Sequence, residues 1–184
     1  DGAVVKGAKG MRVEVDHSFT DAPALDVLLI PGGIGTRDEM KNDAMLDFLR
    51  TKSAACEWVT SVCTGSAVLE RAGLTEGKRI TTHWAYLPTL REAAAGTTPV
   101  VDHVRYVRDG KLVTAAGVSA GIDMALWLTG ELFGVEHARR TQRGIEYDPA
   151  PPYTADVCSA SGLLETQRHA IALADRDVVC AVLI

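Results

Sequence analysis

Apolar positions along the chain follow two rhythms. Short, nearly continuous β-branched runs alternate with stretches in which apolar residues recur every three or four positions, the pattern of a parallel sheet covered by helices on both faces. The class is therefore α/β. Residues 11–15 alternate in polarity and predict an exposed strand. Residues 26–30 form a near-continuous apolar run, expected of a central parallel strand, and Pro31, Gly32 and Gly33 end it. In 37–52, Met40, Ala44, Met45, Phe48 and Leu49 fall at helical spacing, with Asp38 and Glu39 near the helix start. A second buried strand, 58–62, runs without a polar linker into a helix beginning at Thr64 and closed by Gly73. Further along, the pattern predicts a short strand at 79–82, a helix at 86–95 and a hairpin of 104–107 with 112–115 closed by Asp109-Gly110. Helices follow at 122–133 and, after Gly134, at 135–144, until the Pro-rich 148–152 stops regular structure. Beyond that, 162–174 has helical spacing and 178–184 is an unbroken strand-like run.

Composition narrows the function classes. At 184 residues the chain has the size of one domain, and 47% hydrophobic residues suffice for a single core. Nineteen basic against 24 acidic residues give a net charge of -5 with no basic stripe, which argues against nucleic acid as a partner. No apolar run approaches the ~20 residues of a bilayer span, so no membrane partner is expected. The cysteines, Cys56, Cys63, Cys158 and Cys180, show no CxxC or Cys/His metal spacing. Free thiols in a reducing cytoplasm are the simplest reading. The chain opens at Asp1 without an initiator Met, a basic n-region or an apolar h-region, so no secretion signal is expected in it and residues upstream are.

Chemistry concentrates at Ser61-Val62-Cys63-Thr64-Gly65. A nucleophile at a strand-to-helix turn, with small residues two positions before and two after it, is the pattern of a nucleophile elbow. The tight turn demands small neighbours, and the helix N–H groups starting at Thr64 stabilise a thiolate. Alternatively, Cys63 is a small buried hydrophobe. Pro31-Gly32-Gly33-Ile34-Gly35 lies at the C-terminal end of a central strand, where open α/β sheets bind ligands. The N–H groups of Gly33 and Thr64 are candidates for an oxyanion-type hole; a plain loop turn is the other reading. Among the histidines, His83 lies at a strand end and is more simply a loop-fixing residue than a base, while His103, His137 and His169 read as surface residues and His17 as structural. Cys56 reads as packing, and Ser119 and Asp123 as cap or loop hydrogen-bonding residues rather than acid catalysts.

Taken together, 27–33 (VLLIPGG), 61–66 (SVCTGS), 72–74 (AGL), 81–84 (TTHW), 115–123 (AAGVSAGID) and 145–149 (IEYDP) resemble the DJ-1/PfpI superfamily, class I glutamine amidotransferase-like proteins, and within it the isonitrile hydratase branch. The resemblance covers about residues 10–153, so 1–153 is read as one domain and 154–184 as a tail of unassigned role. It implies a flavodoxin-like three-layer sandwich with a mostly parallel sheet, a homodimer, a small-molecule substrate and no metal or organic cofactor. It also implies roles: Cys63 the nucleophile on an isocyanide carbon, Thr64 a hydrogen-bonding partner, and Gly33 a backbone donor. Thr64 stands where protease-like members carry histidine, which disfavours peptide hydrolysis. The family's acid comes from a first strand-helix unit that this chain, starting near the third strand, is expected to lack. Two readings stay open: the sequence is a partial record of a longer chain, or the 178–184 run fills the resulting sheet edge, though no carboxylate follows it. Competing readings are a thiol redox sensor, a glyoxalase-like enzyme, or the ligand-sensing part of an AraC-type regulator.

Overall fold

The computed structural model describes residues 4–7 and 9–152, together with the backbone of 180–182. Its centre is a five-stranded sheet. The strands are β3 (Val27–Ile30), β4 (Trp58–Val62), β5 (Tyr106–Asp109), β6 (Leu112–Ala115) and β7 (Cys180–Val182), in the order β5-β6-β4-β3-β7. All neighbours run parallel except the β5–β6 hairpin. A separate antiparallel pair, β1 (Val4–Lys6) with β2 (Arg12–Glu14), carries the exposed strand expected near 11–15.

The continuous apolar runs are explained by burial on both faces. Leu28 and Ile30 of β3, Val59 of β4 and Leu112 of β6 pack with Met45, Leu46, Phe48 and Leu49 of α2 (Asp43–Ala55), Val68 and Leu69 of α3 (Gly65–Arg71), and Leu90 of α4 (Leu87–Ala93). On the other face Val27, Trp58, Val113 and Ala115 meet Met124, Leu128 and Leu132 of α5 (Val118–Phe133). Leu28, Leu49 and Leu69 are wholly excluded from water. Each such side chain stabilises the fold by roughly 1.5–3 kcal/mol.

Several sequence expectations need correction. The helix expected over 37–52 is two: α1 (Thr36–Glu39) and α2, whose N-cap Asn42 accepts a hydrogen bond from the Met45 N–H and so starts a new helix. The strand expected at 79–82 is a single bridge from Ile80 to Val100, because Thr81 N–H is taken by the Thr114 side chain at 2.8 Å. The first hairpin strand is shifted from 104–107 to β5, while β6 matches the expected 112–115: Asp109 pairs with Leu112, leaving Gly110 and Lys111 as the turn. Helix α5 begins at Val118, N-capped by Gly117, so Ser119 lies inside it rather than capping it. The expected helix at 86–95 opens with a 3-10 turn, Trp84–Tyr86, and α6 (Val135–Gly144) matches its expectation. Gly73, at φ 77°, closes α3 as expected, with Leu74 N–H reaching back to Leu69 O.

Within 178–184, residues 180–182 take the sheet edge beside β3, in register Val27 with Cys180. The helical expectation at 162–174, Cys158 and His169 lie outside the described residues.

Candidate active site at the Cys63 elbow

Strand β4 ends at Val62, and the chain turns into α3 within two residues. Cys63 makes that turn at φ 57°, a left-handed conformation that non-glycine residues adopt only when their surroundings enforce it. Three hydrogen bonds do so here. Cys63 N–H donates to Ala115 O at 3.0 Å, and its carbonyl accepts from Thr82 Oγ1 at 3.0 Å and Ser66 Oγ at 3.2 Å. Its thiol is free and partly exposed.

The small neighbours have a steric reason. A Cβ on Gly65 would fall onto the Ile30 carbonyl oxygen and within 2.9 Å of Pro31 O. One on Gly32 would stand 2.6 Å from Cys63 Cβ and 2.7 Å from Thr64 N. Gly121 of α5 faces the Val62 methyls, where a Cβ would come within 2.9 Å. The elbow is thus pressed between the loop after β3 and the start of α5.

Thr64, 5% exposed, is bound to the glycine loop. Its Oγ1 accepts the Gly33 N–H at 3.0 Å and lies 3.2 Å from Gly33 O. This corrects the expected role of Gly33: in this structure its N–H serves Thr64, not an open oxyanion hole. Thr64 N–H lies beyond the last ladder bond at Cys63 and ahead of the first helical turn, where helix N–H groups have no intrahelical partner. Thr36, buried at 7%, completes the cluster through Gly33 O at 2.8 Å and Thr64 Oγ1 at 3.2 Å. Arg37 reaches Gly33 O at 3.0 Å and lies over the Tyr86 ring at 5.1 Å, tying the glycine loop to the 83–87 segment.

His83 behaves as a loop-fixing residue: its Nδ1 accepts the Ala85 N–H at the start of the 3-10 turn. His17, His103 and His137 are exposed. Cys56 is buried in the core, and its thiol donates to Lys52 O. Asp123 forms an ion pair with Arg105 and accepts from Tyr147 Oη at 2.7 Å, which keeps it out of the elbow's hydrogen bonds. That bond makes Tyr147 hold its proton above the usual tyrosine range. Among the described residues no Asp or Glu hydrogen-bonds to Cys63 or Thr64, and no group of three or more His, Cys, Asp or Glu gathers at metal-binding distance. A cavity of about 240 Å³, lined by Val59, Lys78, Lys111 and Leu112 among others, lies at the opposite end of β4 and β6 from Cys63.

Sequence reasoning placed Gly32 in the candidate glycine loop but did not single out Thr36 or Thr82. Thr82 was visible as half of a threonine pair before His83. Only the fold brings Thr36 to Thr64, 28 residues away.

The model of the DJ-1/PfpI family matches residues 1–130. The chain is 49% identical over 152 residues to the isonitrile hydratase of Pseudomonas putida, covering 81% of this chain and 64% of that protein. It is 31% identical over 150 residues to the HTH-type transcriptional regulator GbdR of Pseudomonas aeruginosa, covering 79% and 38%. A crystal structure of a ThiJ/PfpI family protein from Pseudomonas syringae superposes with a TM-score of 0.76 at 35% identity, over 83% of this chain and 62% of that one. The chain therefore spans less than two thirds of the length of these relatives.

Proposed function

The chain belongs to the DJ-1/PfpI family, and from that premise we propose that it hydrates isonitriles to N-substituted formamides through Cys63. The observation that carries this reading is Cys63 itself, partly exposed and held at φ 57° beside a threonine locked to the glycine loop. No backbone conformation of that kind is needed for a packing cysteine.

The chemistry runs in balanced steps. The Cys63 thiolate adds to the terminal carbon of R–N≡C, and that carbon takes up a proton, giving a thioimidate R–N=CH–S. Water adds to the same carbon while the nitrogen is protonated; the C–S bond then breaks, releasing R–NH–CHO and returning the thiol. One water is consumed and nothing is oxidised or reduced. Thr64 serves as hydrogen-bonding partner through its hydroxyl and N–H. Gly33 serves as backbone donor to the site by orienting Thr64, and we read the working enzyme as a cytoplasmic homodimer with 1–153 as its domain and 154–184 as an added tail. Among the described residues no helix is long and apolar enough to cross a membrane.

The test is loss of an aryl isocyanide with formamide appearance, for the wild type and Cys63→Ala. Turnover by the first and none by the second is expected; equal rates would remove Cys63 from the reaction. The similarity to GbdR favours a second reading, a ligand-sensing domain. Saturable isocyanide binding without any formamide would support that reading instead.

A further inference from the structure

The large apolar side chains left in contact with water are unevenly placed. Among the described residues the three most exposed are Val118 at 79%, Ile34 at 69% and Trp84 at 66%. Scattered singly, such residues need no explanation. Here each stands on a different segment that touches Cys63. Ile34 follows Gly32, which presses on Cys63 so closely that a Cβ there would stand 2.6 Å from Cys63 Cβ. Trp84 follows Thr82, whose hydroxyl donates to Cys63 O at 3.0 Å. Val118 follows β6, whose last carbonyl, Ala115 O, takes the Cys63 N–H at 3.0 Å. Helix α5 fixes the side on which Val118 stands. Gly121 faces Val62 while Trp127 meets Trp58, so α5 runs back along β4 from its Cys63 end. Residues three apart share a helix face, which sets Val118 one turn before Gly121, beyond Val62 and over the elbow. The other two segments are held to one another: Arg37 N–H donates to Ile34 O at 3.3 Å, and its guanidinium lies over the ring of Tyr86, two residues after Trp84.

We propose that Ile34, Trp84 and Val118 form an apolar rim around the partly exposed Cys63 thiol, which takes the R group of the isonitrile and sets a preference for bulky, apolar R. This rests on the hydratase reading and deepens it. R–N≡C is linear, so with its terminal carbon at the sulfur the R group projects away from the elbow, to where the rim stands. A ring-sized R covers the rim and takes apolar surface of both partners out of water, whereas a methyl group covers little of it. R takes no part in the bonds that form or break. Its contact with the rim is therefore the same before and during the reaction and is felt in KM rather than in kcat.

The experiment measures hydration of cyclohexyl and methyl isocyanide, two alkyl probes that differ in the size of R, by the wild type, Trp84→Ser, Ile34→Ser and Val118→Ser. Val135→Ser is the control, because Val135 is 52% exposed but opens α6 at the far end of α5. The wild type is expected to favour the cyclohexyl probe in kcat/KM. Trp84→Ser, which removes the largest apolar surface, should lower that preference by about fivefold, and Ile34→Ser and Val118→Ser by about two- to threefold each. The loss should lie in KM for the cyclohexyl probe, with kcat within about twofold of the wild type. Val135→Ser should keep the wild-type preference. An unchanged preference in Trp84→Ser overturns the proposal. So does a loss carried by kcat, or one that Val135→Ser shows equally. A rim variant that shifts from dimer to monomer in size-exclusion chromatography with its preference intact makes the rim a contact between two copies, and overturns the proposal as well. In all four cases wild-type turnover still stands. A wild type inert towards both isocyanides instead overturns the hydratase reading, and this inference with it.

Discussion

Two polar clusters lie at the same end of the sheet, and they are built on opposite principles. At the start of α5, Asp123 is paired with Arg105 and Tyr147, while Arg105 also reaches Ser119 Oγ at 3.3 Å, so each of these charges has an opposite charge or a donor against it. At the elbow one strand away, the hydrogen bonds hold backbone and threonine hydroxyls, and none of them ends on the sulfur of Cys63. The first cluster spends its polar groups on itself. The second fixes a frame and, among the described residues, leaves the Cys63 thiol outside its hydrogen bonds, as the proposed role of attacking group requires. Charge and ion pairing alone would have pointed to the first cluster and away from the proposed nucleophile.

The contrast is sharpest in what each region tolerates. Gly65→Ala should cost about 3 kcal/mol or more, because the new methyl meets backbone that cannot move aside. A denaturant midpoint near that of the wild type would show the elbow to be looser than described. Gly121→Ala should cost less, about 1–2 kcal/mol, since it meets only Val62 methyls; the same titration reads it.

How much of this was legible beforehand differs by region. The elbow was readable because its demands are local: a strand, a cysteine and small residues at fixed offsets, 61–65, lie next to one another in sequence. The central strands were readable because burial on both faces leaves a continuous apolar run. The break between α1 and α2 was missed because Met40 keeps the helical spacing across it, and only the side-chain cap of Asn42 shows where the second helix starts. The Ile80 bridge was missed because its β-rich segment spends a backbone N–H on a side chain. The Thr36–Thr64 contact depends on β3 and β4 lying side by side, a long-range fact that no local pattern contains.

Smaller effects belong to the charged cluster. Asp123→Ala removes both the ion pair and the Tyr147 bond, yet the partners are part-exposed and water replaces them in part. A loss of about 1–2 kcal/mol is expected, with isocyanide turnover per folded molecule unchanged. A selective fall in kcat would bring Asp123 into the chemistry and erase the contrast. Smallest is Tyr147→Phe, at about 1 kcal/mol or less. Because Tyr147 holds its proton above the usual range, its contribution is complete below about pH 10 and is lost as pH rises through the raised value. The stability difference between wild type and Tyr147→Phe should therefore shrink in strong alkali; a difference that grows there would contradict the assigned bond.

The most direct test of Cys63 as the attacking group is the intact mass of the protein after rapid mixing with an aryl isocyanide and acid quench. The wild type should gain the mass of one isocyanide, located on the peptide containing Cys63, and Cys63→Ala should gain none. An adduct on another residue, or formamide production by Cys63→Ala, would contradict the assignment of the elbow as the reactive centre.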